Sequence, residues 1–122
     1  MEIETRNFIE KAYKTIEPFE GMFTLAETVC VLSMYFDSYE YHTGRIHPFL
    51  KAEQLQRIIK QLDFCEGSFS GLPFESTDLT VDDYAKIIPA HFRTQYRFGC
   101  DFNVNHFMTG DIRFMRWLEE CY

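Results

Sequence analysis

Apolar positions recur at intervals of three and four through most of the chain, the period of helices that bury one face. Phe8, Ile9, Ala12, Tyr13 and Ile16 share such a face, predicting a first helix from about Ile3 to Ile16. Pro18 and Gly21 close it. Thr24-Leu25-Ala26-Glu27 is a capping box, in which hydroxyl and carboxylate each satisfy an orphan backbone N–H. It opens a second helix whose stripe is Leu25, Val29, Leu32, Phe36 and Tyr39, widened by Cys30, Val31, Met34 and Tyr35. A helix this apolar is expected at the centre of the fold, ending before Gly44. Pro48 suits the first turn of a third helix, which buries Leu55, Ile58, Ile59 and Leu62.

From Cys65 to Leu79 the chain is punctuated by Gly, Ser and Pro, predicting one long loop with room for a short two-stranded ribbon. Phe69, Leu72 and Phe74 would pin that loop to the core. Thr80 then starts a fourth helix that turns Tyr84, Ile87 and Ile88 inward, and Asp82 and Asp83 complement its dipole. Pro89 ends or kinks that helix, and a short one over residues 90–97 precedes Gly99. Asn103 or Asn105 caps another short helix, with His106 bonded to a backbone carbonyl. The final helix runs from Thr109 or Asp111 to Glu120, burying Ile112, Met115 and Leu118 with Phe114 or Trp117 at the border. The whole reads as one all-α domain over residues 1–122, a compact bundle of five or six helices with a long loop at 65–79.

Composition narrows the class. With 122 residues and 46% hydrophobic side chains the chain is long enough, and apolar enough, to fold around its own core. No apolar run reaches the roughly 20 residues that span a bilayer, and the start lacks an export signal, so a cytoplasmic protein is expected. The four dispersed cysteines fit reduced thiols rather than a disulfide framework. The net charge is -7: residues 1–89 hold 8 basic against 15 acidic side chains, and residues 90–122 hold 4 of each. Such a field opposes phosphate and anionic membranes and favours a basic partner.

The charge-balanced end is also where aromatic and arginine side chains alternate. Those types are enriched where proteins hold partners. Arg97, Arg113, Arg116 and Trp117 are therefore the candidate partner-binding residues. Residues 79–97, Leu-Thr-Val-Asp-Asp-Tyr-Ala-Lys-Ile-Ile-Pro-Ala-His-Phe-Arg-Thr-Gln-Tyr-Arg, resemble the helix-turn-helix pattern of bacterial DNA-binding domains. That resemblance implies Ala85 at the helix crossing and His91, Arg93, Thr94, Gln95 and Arg97 facing DNA. Pro89 stands where the family usually has glycine, and it cannot take the positive φ of that turn.

No catalytic residue is assigned: the chain has no nucleophile elbow and no phosphate-binding glycine loop. No metal ligand or cofactor is assigned, because no two of the four histidines and four cysteines stand in Cys-x-x-Cys or His-x-x-x-His spacing. Cys100, with His91 and His106 nearby in sequence, is the one Cys–His pairing to watch. The expectation is a small acidic, non-enzymatic protein–protein interaction module of adaptor or inhibitor type. Its size and charge also suit an accessory protein of a phage or mobile element. The alternative is a DNA-binding regulator using residues 79–97.

Overall fold

The structure, a computed structural model, describes residues 1–68 and 75–122. Phe69, Leu72 and Phe74, expected to pin the long loop, lie outside the described residues. The described residues form six helices and one two-stranded sheet: α1 (Ile3–Lys14), α2 (Leu25–Thr43), α3 (Ala52–Lys60), β1 (Phe64–Glu66), β2 (Ser76–Asp78), α4 (Val81–Arg93), α5 (Val104–Met108) and α6 (Ile112–Glu120). The strands pair antiparallel, with Cys65 opposite Thr77. A helical bundle is therefore the architecture, with a ribbon in the segment read as a loop. No described helix is long and apolar enough to cross a membrane.

Local chemistry sets most boundaries. Thr24 Oγ1 accepts from the Glu27 N–H while Glu27 Oε1 accepts from the Thr24 N–H, which starts α2. Gly44, with φ of 72°, ends it in the left-handed conformation. Thr80 and Asp83 cap α4 in the same reciprocal way. Asn103 caps α5 through the Asn105 N–H. The third helix begins later than Pro48 implies: residues 45–51 run on as an irregular strap, and α3 starts where Gln54 Oε1 takes the Lys51 N–H.

α4 packs against both α2 and α6, while α1 lies on α2 and α3. Ile9, Leu32, Tyr35, Leu55, Ile59, Tyr84, Ile88, Phe107 and Phe114 form the most buried part of the core. The third-helix stripe, Leu55 to Leu62, is buried as its spacing predicts. On α2 the buried line runs through Thr28, Val31, Leu32, Tyr35 and Tyr39: Leu32 and Tyr39 belong to the expected stripe and Val31 and Tyr35 to its widening, while Leu25, Val29 and Phe36 are half-buried. Both stripes have helical spacing and comparable apolarity. Tyr35 takes the inner position because its hydroxyl finds the Phe102 carbonyl there, 2.7 Å away.

Two expectations about the C-terminal third are corrected. Residues 81–93 form one continuous helix with Pro89 inside it, so the helix-turn-helix geometry is absent. Pro89 and Ala85 both face solvent, where water can satisfy the Ala85 carbonyl that a proline cannot serve. Ala85 is thus not a crossing residue, and His91 and Phe92 point into the core. On α6 the buried residues are Arg113, Phe114 and Arg116, whereas Met115 is exposed.

Candidate functional site

A groove of about 350 Å³ opens between the start of α1, the middle of α2 and the strap that leads to α3. Its apolar wall comes from Phe8 and Ile9 on α1, Phe36 on α2, Leu50 on the strap and Leu55 on α3. Ile9, Leu50 and Leu55 are buried, so the wall is continuous with the core, and Phe8 and Phe36 are half-buried. Phe49 stacks on Phe8 across the opening, with ring centroids 6.0 Å apart, yet stays 84% exposed. Ile46 on the strap is 64% exposed, and Ile3 on α1 is 74% exposed.

The acidic positions of α1 and α2 surround this apolar surface. Glu2, Glu4, Asp37 and Glu40 all line the groove, and no lysine or arginine is among its lining residues. Asp37 takes the Met1 α-amino group at 2.7 Å, which also raises the pKa of that amine through the hydrogen bond and the adjacent charge. Apolar walls next to water lower the local dielectric, so the remaining carboxylates project a field into the opening.

His47 holds the strap in place. Its ring lies 4.7 Å from Tyr39 and 5.0 Å from Phe36, centroid to centroid. The Val104 N–H donates to Nε2 at 2.9 Å, so Nε2 is the acceptor and Nδ1 carries the hydrogen that reaches the Pro48 carbonyl. Burial holds the His47 pKa below its usual value and keeps this neutral form. The histidine thereby ties residues 47–48 to the N-terminal turn of α5.

The residues singled out from the sequence are dispersed. Arg113 is 7% exposed: its Nη1 donates to the carbonyls of Gln61 (2.8 Å) and Phe64 (2.9 Å) and to the Tyr84 hydroxyl (3.0 Å). Arg116 is 5% exposed, donating to Thr94 Oγ1 at 2.8 Å and to Glu119 at 3.0 Å, with its guanidinium over the Tyr96 ring. Both guanidiniums turn inward because turns near α3 and α4 leave carbonyl and hydroxyl acceptors that no helix serves. Trp117 is half-buried between Phe114 and Tyr122. Arg97 is exposed, with its guanidinium over the Phe98 ring. Of the residues the helix-turn-helix resemblance implies, Arg93 and Gln95 are exposed, Thr94 bonds the Ala90 carbonyl, and His91 is wholly buried.

One chemical encounter did follow the sequence proximity. Cys100 Sγ lies 3.4 Å from His106 Nδ1, and Asp101 Oδ1 lies 3.5 Å from the same nitrogen. These contacts replace the backbone carbonyl expected for His106. The groove, by contrast, carried no local motif. Its signals were Ile46 and Phe49, apolar residues outside every helical stripe. The chain matches no family model, no curated protein and no solved structure.

Proposed function

We propose that this protein is a non-enzymatic binding module whose groove receives a basic amphipathic segment of another protein. The observation that carries the reading is the exposure of Ile46 and Phe49 in a groove lined by four carboxylates and no cationic side chain. Exposed apolar surface of this kind is costly to keep in water and marks contact sites. The half-buried Phe8 and Phe36 supply a pocket for an aromatic or aliphatic anchor. Lysines or arginines flanking that anchor would meet Glu2, Glu4 and Glu40, which favours such partners over acidic ones and speeds their approach. The interaction function expected from composition is retained, and its surface moves from the C-terminal arginines to the opposite, acidic half of the chain.

A synthetic amphipathic helix of leucine and lysine, labelled for fluorescence anisotropy, tests this reading against a leucine and glutamate counterpart. The basic peptide binds and the acidic one does not, and binding weakens as salt rises. Phe49→Ser and Glu4→Lys with Glu40→Lys each reduce affinity at least about tenfold, the scale of a lost anchor or a reversed field. Equal binding of both peptides, or indifference to these substitutions, overturns the proposal.

A further inference from the structure

Cys100, Asp101 and His106 bring sulfur, oxygen and nitrogen donors together, all within 4.8 Å of one another. The convergence is produced by an unusual turn. Phe102 has φ of 59°, the one non-glycine residue with positive φ among the described residues. A phenylalanine is sustained there only by a turn determined by its surroundings. Phe102 is so determined: its ring stacks on Phe92 at 5.1 Å, and its carbonyl accepts from Tyr35. The turn folds residues 100 and 101 back towards His106 on α5.

Backbone N–H groups then fix two of the donors. The Phe102 N–H donates to Cys100 Sγ at 3.3 Å, and the Asn103 N–H donates to Asp101 Oδ1 at 2.9 Å. Hydrogen bonds from the backbone to sulfur and oxygen are the outer-sphere support that orients metal ligands. In a tetrahedral zinc complex with bonds of about 2.0–2.3 Å, neighbouring donor atoms stand about 3.3–3.7 Å apart. The sulfur–nitrogen separation of 3.4 Å and the oxygen–nitrogen separation of 3.5 Å match two edges of that tetrahedron.

We propose that Cys100, Asp101 and His106 form a binding site for one zinc ion, with solvent completing the coordination. Thiolate, imidazole and carboxylate together suit zinc better than magnesium or calcium, which take oxygen donors. His106 is exposed, so the ion enters directly from water. On binding, the Cys100 thiol releases its proton to solvent and the resulting thiolate bonds the metal, with no change in oxidation state. Neither the Cys-x-x-Cys nor the His-x-x-x-His rule detects this set, because its members follow the order Cys-Asp-x-x-x-x-His and meet only through the turn at Phe102.

Titration of the purified chain with zinc against a chromophoric chelator, and with cobalt(II) as a spectroscopic stand-in, tests the site. The expected result is one equivalent bound, with a sulfur-to-cobalt charge-transfer band. Replacing outer-sphere partners commonly costs 10–100-fold, so Cys100→Ser and His106→Ala, which remove ligands, weaken binding by more than about 100-fold. Cys30→Ser, at an exposed cysteine of α2, leaves it unchanged. X-ray absorption of the zinc-loaded wild-type chain gives a readout independent of any variant's folding, and one sulfur among nitrogen and oxygen neighbours is expected. No stoichiometric binding, a metal shell without sulfur, or affinity indifferent to both ligand substitutions overturns the proposal.

Discussion

His91 donates to Tyr35, and not the reverse. The Tyr35 hydroxyl has one hydrogen, which goes to the Phe102 carbonyl at 2.7 Å, so its oxygen is left to accept from His91 Nε2 at 3.1 Å. Nδ1 must then take the hydrogen of the Tyr96 hydroxyl. His91 is therefore neutral, protonated at Nε2, and fully buried with both ring nitrogens paired.

This arrangement has a pH signature. Burial, reinforced by the Arg116 guanidinium, lowers the His91 pKa from 6.5 to about 3. Between those values the unfolded chain binds a proton that the folded chain refuses, so stability falls as pH falls. The contribution is complete above the unfolded value and is lost at up to about 1.4 kcal/mol per pH unit below it. Nitrogen-15 shifts of His91 should stay those of the neutral Nε2–H tautomer down to about pH 4. Titration of His91 near its ordinary value would show that the network does not hold.

Arg113 is expected to be structural. Its Nη1 hydrogens serve two carbonyls and the Tyr84 hydroxyl, which itself donates to the Leu62 carbonyl at 2.6 Å. Arg113→Ala strands these acceptors and should cost about 3 kcal/mol or more in urea unfolding. Arg113→Lys should recover only part of the loss, since all three contacts are made by Nη1 and a lysine ammonium ends one bond short of that position. A loss below about 1 kcal/mol, the scale of an exposed position, would contradict the buried role.

Pro89 offers a test of the opposite sign. It sits inside α4 on the solvent side and removes the hydrogen bond that residue 89 would give the Ala85 carbonyl. Pro89→Ala restores that bond at the expense of a looser unfolded chain, a term of about 0.4–1 kcal/mol. A net gain of about 1–2 kcal/mol is expected from chemical denaturation, because interior proline costs about 3 kcal/mol in a helix. Destabilisation would mean that the proline ring itself packs against something α4 needs.

Local pattern was sufficient wherever a feature depends on residues a few positions apart. The capping box at Thr24, the helix start at Thr80, the helix end at Gly44, the cap at Asn103 or Asn105 and the third-helix stripe each involve residues a few positions apart. A bundle of five or six helices follows from those signals and the apolar period, although the separate short helix expected over residues 90–97 is instead the end of α4 and an irregular turn. Pattern failed where a helix offers more than one plausible inner face. On α2 Thr28 and Tyr35 are buried where Val29 and Phe36 of the expected stripe are half-buried, and on α6 two arginines displaced Ile112, Met115 and Leu118 from the deepest sites.

What the sequence determined by itself is therefore the helices, their caps and the segregation of negative charge to the first 89 residues, because propensity, capping and net charge are local or additive. Only the tertiary structure decided where polar groups go. Arg113 is drawn inward by the carbonyls of Gln61 and Phe64, some 50 residues earlier, and Tyr35 by those of a turn 67 residues later. Hydrogen-bond acceptors left over by distant turns have no signature in the helix that supplies their donors. The same holds for the groove, whose apolar wall and acidic edge come from three separate elements, and for Cys100 and His106, which one left-handed residue brings face to face.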